Sequence, residues 1–192
     1  MIRKLPVIPT LIVLVAVGIM IRLGFWQLDR LHQKQAMLAR FEAAEASTTV
    51  RRWPDDAADI MPLSYSRVVT DCVSVDQIAA QAGQNAAHQA GWAQVAECAL
   101  PLGIKARIVL GWGNKPAPVE WRGGAVQGTY VVRGEDRAII VADPPLAGLQ
   151  ANAKPDPRDI PNNHLAYAVQ WFLFAGVALV IYGLAVRKRL LS

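Results

Sequence analysis

Two stretches of this 192-residue chain lack charge altogether, residues 5–21 and 165–186. Runs of that kind are excluded from an ordinary water-facing surface. Roughly 20 apolar residues, at about 1.5 Å each, cross a hydrocarbon core of ~30 Å. The second run has 22 residues and spans comfortably; the first has 17 and needs its helix to continue through Arg22 to Trp26. Arg22 would then snorkel toward the outer headgroups. Acidic residues are missing from both ends, since all 15 lie between Asp29 and Asp159. Six of the 20 basic residues (Arg3, Lys4, Arg22, Arg187, Lys188 and Arg189) lie outside that stretch, so the middle nets −1 although the chain nets +5. A middle region of that balance has no electrostatic footprint for nucleic acid.

Cysteine and histidine are equally sparse. The two cysteines, Cys72 and Cys98, fit no CxxC redox motif, zinc site or haem-attachment motif. Both fall near the ends of expected strands. In an oxidising compartment such a pair forms a structural disulfide; two buried thiols is the other reading. Histidine occurs only at 32, 88 and 164. There is no phosphate-binding loop, no GxGxxG after a strand, no GxSxG and no HExxH. A triad assembled from Ser64, His88 and Asp71 has no spacing to favour it, and we expect no enzyme.

The charges that are present set an orientation. Arg3 and Lys4 precede the first run, and Arg187, Lys188 and Arg189 follow the second. Basic residues in short tails stay cytoplasmic. The expectation is an inner-membrane protein with both termini cytoplasmic and the central region periplasmic (in a mitochondrion, facing the intermembrane space). A cleaved signal peptide is the competing reading of the N-terminus. The bulky Leu23-Gly24-Phe25-Trp26 that follows the apolar run offers no small-residue cleavage site.

The resulting fold class is an α+β membrane protein, with N- and C-terminal transmembrane helices flanking a small, mostly antiparallel β domain. The first transmembrane helix covers 1–28, with a tail at 1–4. The outer domain covers 29–162, the second helix 163–186 and the basic tail 187–192. Within the outer domain, Leu28, Leu31, Leu38 and Phe41 recur at helical spacing, which predicts a helical stalk over 29–46. Residues 51–62 read as a loop. The β domain covers 65–142, with strands expected over 65–75, 91–99, 106–112, 125–132 and 137–142 and a hairpin turn at Gly134-Glu135-Asp136. They suggest a small antiparallel sheet or a partly closed barrel. Residues 76–88, rich in Ala and Gln, read as a short helix or a loop. Residues 143–161 carry five prolines and form a linker or covering loop. Asn162 or Asn163 caps the second helix.

His164 is the informative histidine, at the outer end of the second run. Helical stepping gives it a face shared with Tyr167 or Ala168 and with Trp171. Neutral imidazole beside aromatic surface is a good axial ligand for haem iron; an interfacial histidine in an aromatic belt is the alternative. Trp26 and Gln27 end the first run at the same depth. A groove between the helices would then be lined by Trp26, Gln27, His164, Tyr167 and Trp171. Arg30 and Lys34 lie just beyond, as solvated stalk charges or as partners for acidic groups at the surface.

These two ends resemble the surfeit locus protein one family of cytochrome c oxidase assembly factors. The stretch Gly24-Phe25-Trp26-Gln27-Leu28-Asp29-Arg30 with Lys34 resembles the family signature G-x-W-Q-x-x-R-x-x-x-K. Asn162-Asn163-His164 through Tyr167, Gln170, Trp171 and Phe172 resembles N-x-H-x-x-Y-A-x-Q-W-F. The middle departs: Leu110-Gly111-Trp112 with Pro116 keeps the Gly-Trp and Pro of a V-N-R-G-W-V-P-like strand end and loses the Arg. The resemblance implies a divergent member that assists haem a insertion into oxidase subunit I, alongside other assembly factors. It places His164 as the iron ligand. A membrane-anchored scaffold that binds oxidase subunits without haem is the alternative.

Overall fold

The computed structural model describes residues 6–52, 63–117, 119–133 and 137–191. The tail at 1–4, most of the expected loop over 51–62 and the expected hairpin turn at 134–136 lie outside the described residues. Two helices bracket a sheet along the chain: α1 (Val7–Ala46) and α2 (His164–Leu191). Both are long and apolar enough to cross a membrane. Leu11, Ile12, Val15 and Ile19 on α1, and Leu173, Val177, Val180 and Ile181 on α2, are exposed from the protein. Side chains of this kind on most sides of a helix need lipid to cover them. The chain divides into two compact units, Met1–Met37 with Ile160–Ser192, and Leu38–Asp159.

The second unit is built on one seven-stranded sheet. Its strands are β1 (Val50–Arg52), β2 (Arg67–Cys72), β3 (Ser74–Gln84), β4 (Ala90–Ala99), β5 (Lys105–Gly113), β6 (Gly124–Arg133) and β7 (Arg137–Ala142). The order is β1-β2-β6-β7-β5-β4-β3. The pairs β1·β2 and β5·β7 are parallel, and the other four are antiparallel. The sheet is therefore mixed, with antiparallel pairing in the majority. β2 and β3 form one course of chain interrupted only at Val73, yet β2 pairs with β6 and β3 with β4. The sheet must bend round on itself to satisfy both. At the corner, Val73 N–H donates to Ala99 O at 2.9 Å, and Cys72 is disulfide-bonded to Cys98 across a Cα–Cα distance of 5.5 Å.

Two segments differ from the expectation. Residues 74–84 are a strand rather than a helix or loop. Ala and Gln have weak strand preference, but pairing with β4 from Ser74↔Ala99 to Gln84↔Ala90 outweighs it. Asn85 then closes the hairpin, its Oδ1 accepting from the N–H groups of Ala87 and Gln89, both at 3.0 Å. Val50–Arg52 forms a short parallel edge strand instead of beginning the loop.

The bend gives the sheet a concave core of Val68, Ala96, Ile108, Leu110, Val126, Tyr130 and Ile140, closed by the two cysteines. Leu110, in the region where the resembled family carries an arginine, is fully buried there. A charge at that depth would need a partner. The covering segment after β7 docks on β5: Trp112 N–H donates to Gln150 O at 2.8 Å and Gln150 N–H returns to Trp112 O at 3.0 Å. A Cβ on Gly111 would stand 2.6 Å from Leu149 Cβ, so the glycine allows this approach. Asp143 anchors the same segment by ion pairs to Arg67 at 3.3 Å and Lys154 at 3.2 Å.

Burial of Tyr130 has a consequence at high pH. Desolvation pushes its hydroxyl from 10.0 up to about 12. Below pH 10 both folded and unfolded chains hold the tyrosine neutral. Between 10 and 12 only the unfolded chain ionises it, so stability falls as pH rises. Across that window the wild type should lose up to about 2 kcal/mol relative to Tyr130→Phe. Urea titrations of both proteins at pH 9 and 11.5 check this.

Candidate functional site

The site lies within the first unit, where α1 and α2 run antiparallel. A single seam joins them. On α1 the buried residues are Val17 and Gly24, with half-buried Thr10 at the same spacing; on α2 they are Ala168 and Ala175, with half-buried Tyr182. Each set repeats every seven residues, the period that keeps one stripe facing a partner helix. Small residues on the stripe let backbones approach closely. A Cβ on Gly24 would come within 2.6 Å of the Phe172 ring, and the Phe25 and Phe172 rings meet edge-on at 5.4 Å.

A polar contact closes the seam at each end. Near the start of α1 the hydroxyls of Thr10 and Tyr182 hydrogen-bond. At the other end His164 Nδ1 lies 2.7 Å from Gln27 Oε1. Seventeen residues of helix separate Thr10 from Gln27, about 26 Å at the usual rise. That distance is close to the ~30 Å thickness of a hydrocarbon core.

The His164–Gln27 contact favours one tautomer of the neutral ring. An amide oxygen only accepts, so Nδ1 carries the hydrogen and donates it. Nε2 of the neutral ring then keeps its lone pair. This is the arrangement found in metal-ligating histidines, whose second nitrogen is tied to an oxygen. His164 is half-buried as the first residue of α2, and Asn163 O accepts from Tyr167 N–H at 3.3 Å to start the helix. The Oδ1 of Asn162 is buried and has no hydrogen-bond partner among the described residues.

The other expected site residues are distributed around this pair. Trp171 is half-buried two turns along α2, with its ring 6.3 Å from that of Phe174 and edge-on to it. Trp26 and Tyr167 are both about half exposed, at 48% and 51%. Trp26 is one residue from Gln27, and a step of about 100° turns it off the seam. It lies under Arg30, whose guanidinium carbon is 5.6 Å from the ring. Arg30 also donates to Gln33 Oε1 at 2.9 Å. The structure thus joins Gln27 to His164 and leaves Trp26 and Tyr167 facing outward. Thr10 and Tyr182 carry no role in the sequence analysis, where Gly24 and Phe172 stand only as members of the two signatures. Their signal is the seven-residue spacing of small and polar residues inside two apolar runs.

Haem fits this donor set in one respect that can be tested on the residues. One imidazole nitrogen is tied to an amide oxygen, which leaves the other with its lone pair. His164 would hold the iron, and the exposed aromatic faces of Trp26 and Tyr167 would flank a flat apolar ring.

Among curated proteins, no sequence matches this chain. The sequence pattern that defines the SURF1 family does match it, over residues 14–176, from within α1 to the middle of α2. That span takes in Val17, Gly24, Gln27, His164, Ala168 and Ala175 of the seam and the whole sheet, and the chain belongs to the SURF1 family, which is associated with cytochrome c oxidase assembly.

Proposed function

We propose that this protein receives haem a and assists its insertion into subunit I of a haem-copper cytochrome c oxidase, acting as a carrier and not as an enzyme. The observation that carries this reading is the His164–Gln27 hydrogen bond, which leaves His164 Nε2 as a free ligand at the outer end of the helix pair. When bound, haem iron supplies a coordination position for one imidazole. His164 is the residue that fills it. Trp26, Tyr167 and Trp171 provide apolar faces for the ring, and Gln27 holds the histidine. Arg30 and Lys34, one and two turns beyond Trp26, are cations within reach of propionates at the surface.

On this reading the sheet domain is periplasmic. Two features support that placement: basic residues flank the apolar runs at the chain's ends, and a disulfide persists in an oxidising compartment. The partners are subunit I, the haem donor and other assembly factors.

The test is a strain lacking this gene, complemented with the intact gene or with His164→Ala. Reduced-minus-oxidised spectra of its membranes report haem a content. The intact gene should restore haem a and oxidase activity, while His164→Ala should restore well under half. Full restoration by His164→Ala would replace the carrier with a scaffold that binds oxidase subunits without haem. Unchanged oxidase in the deletion strain would remove the assembly role.

A further inference from the structure

Gln27 sits on the neighbouring helix and has no chemistry of its own to offer iron. Its value lies in what it does to the histidine. A neutral imidazole has two tautomers, and only one of them leaves Nε2 unprotonated. Water favours the Nε2–H form, so a ligand histidine without a fixed neighbour spends most of its time protonated on the coordinating nitrogen.

We propose that Gln27 is a positioning residue that holds His164 as the Nδ1–H tautomer and fixes its ring plane. The use of that tautomer by haem rests on the function proposed above, but the tautomer itself does not. The geometry is specific. The bond is 2.7 Å long and joins residues 137 positions apart on two helices, so α1 sets the state of a side chain on α2. Gly24 lies one turn before Gln27 on the same stripe, and its missing side chain lets Phe172 close against α1. That close packing brings Gln27 within reach of His164. Near the edge of the hydrocarbon, with little water to compete, one such bond shifts a tautomer population by about tenfold. Loss of an outer partner of this kind costs a metal-ligating histidine about 10–100-fold in affinity.

The arrangement also explains why glutamine serves here. A leucine of similar length would fill the space and let the proton move to Nε2. A glutamate would accept the same Nδ1–H. Those two substitutions therefore separate packing from proton placement.

The experiment uses the full-length chain in lipid nanodiscs with 15N-labelled histidine, above the histidine titration. Only three histidines occur, and His164→Ala identifies the signal of His164. The wild type should show a protonated Nδ1 and an unprotonated Nε2. Gln27→Leu should move most of the signal toward the Nε2–H form, and Gln27→Glu should keep the wild-type tautomer. Titration with haem a, followed by its absorption band, should show at least tenfold weaker binding for Gln27→Leu and near-wild-type binding for Gln27→Glu. An Nε2–H tautomer in the wild type, or an unchanged tautomer in Gln27→Leu, would overturn the proposal. The expected tautomers in a protein that binds no haem a would uphold the role of Gln27 and overturn the carrier function instead.

Discussion

Gly128→Ala should destabilise the sheet domain by about 3–5 kcal/mol, enough to leave much of it unfolded at growth temperature. Gly128 stands in the middle of β6, opposite Ala142 of β7 and Val68 of β2. A methyl group there would overlap the carbonyl oxygen of Val141, and it would also press on the Cα of Ala142 at 3.0 Å. Both obstacles are backbone in a paired strand. Neither can swing aside as a side chain would. Relief requires parting β6 from β7, and the fully buried Tyr130 and Ile140, themselves a cross-strand pair, stand two residues away in each strand. Gly113→Ala is the matched control. Its methyl would meet only ordinary contacts, Lys115 O at 3.6 Å and Leu149 Cδ2 at 4.0 Å. That variant should stay within about 1 kcal/mol of wild type. Urea unfolding of the two variants, followed by tryptophan fluorescence, compares them. Equal midpoints would mean that β6 and β7 yield more easily than two paired backbones should.

Why glycine is required at 128 could not be read from the sequence, and the reason is general to this fold. The helices are legible because they depend on local pattern. Absence of charge over 5–21 and 165–186 marks the apolar runs, and the spaced Leu28, Leu31, Leu38 and Phe41 carry α1 to Ala46, where Ser47-Thr48-Thr49 follows. Strands with β-branched residues, such as Arg67–Cys72 and Arg137–Ala142, are legible for a similar reason. β3 is not. Apart from Ile78, nothing in Ile78-Ala79-Ala80-Gln81-Ala82 favours a strand, and its long pairing with β4 makes it one. The parallel pairs are invisible too, because β1·β2 and β5·β7 join segments that are not linked by a hairpin.

Depth and direction separate in the same way at the candidate site. Helix rise alone puts Trp26 beside Gln27 at one end of the pair, and Tyr167 and Trp171 about one and two turns along α2 from His164. Which of them meet depends on rotation about each helix axis. That rotation is set by Gly24, Ala168 and Ala175, whose lack of bulk decides the contact stripe. Once the stripe is fixed, Gln27 falls on it and Trp26 falls beside it. The exposed faces of Trp26 and Tyr167 are then available to a ligand or to lipid.

Removing the disulfide should cost the sheet domain about 3–4 kcal/mol, the loop-entropy value for a bridge that closes 26 residues. The cost should be felt far from the cysteines. Cys72 ends β2 and Cys98 lies next to the end of β4, two strands near opposite sides of the sheet order. The bridge therefore ties the bend at the point where β2 turns into β3. Both sulfurs are buried in the main core, at 3% and 1% exposure, so a serine pair would add two hydroxyls that need partners there. A Cys72→Ala, Cys98→Ala double variant avoids that burden and isolates the cross-link. Its urea midpoint should fall well below that of the oxidised wild type. A reducing agent should lower the wild-type midpoint toward the variant and leave the variant unchanged. If reductant has no effect on an intact bridge, hydrogen bonding at the corner, led by Val73 N–H to Ala99 O at 2.9 Å, already holds the bend. If the variant falls as expected, the domain depends on an oxidised bridge for its stability.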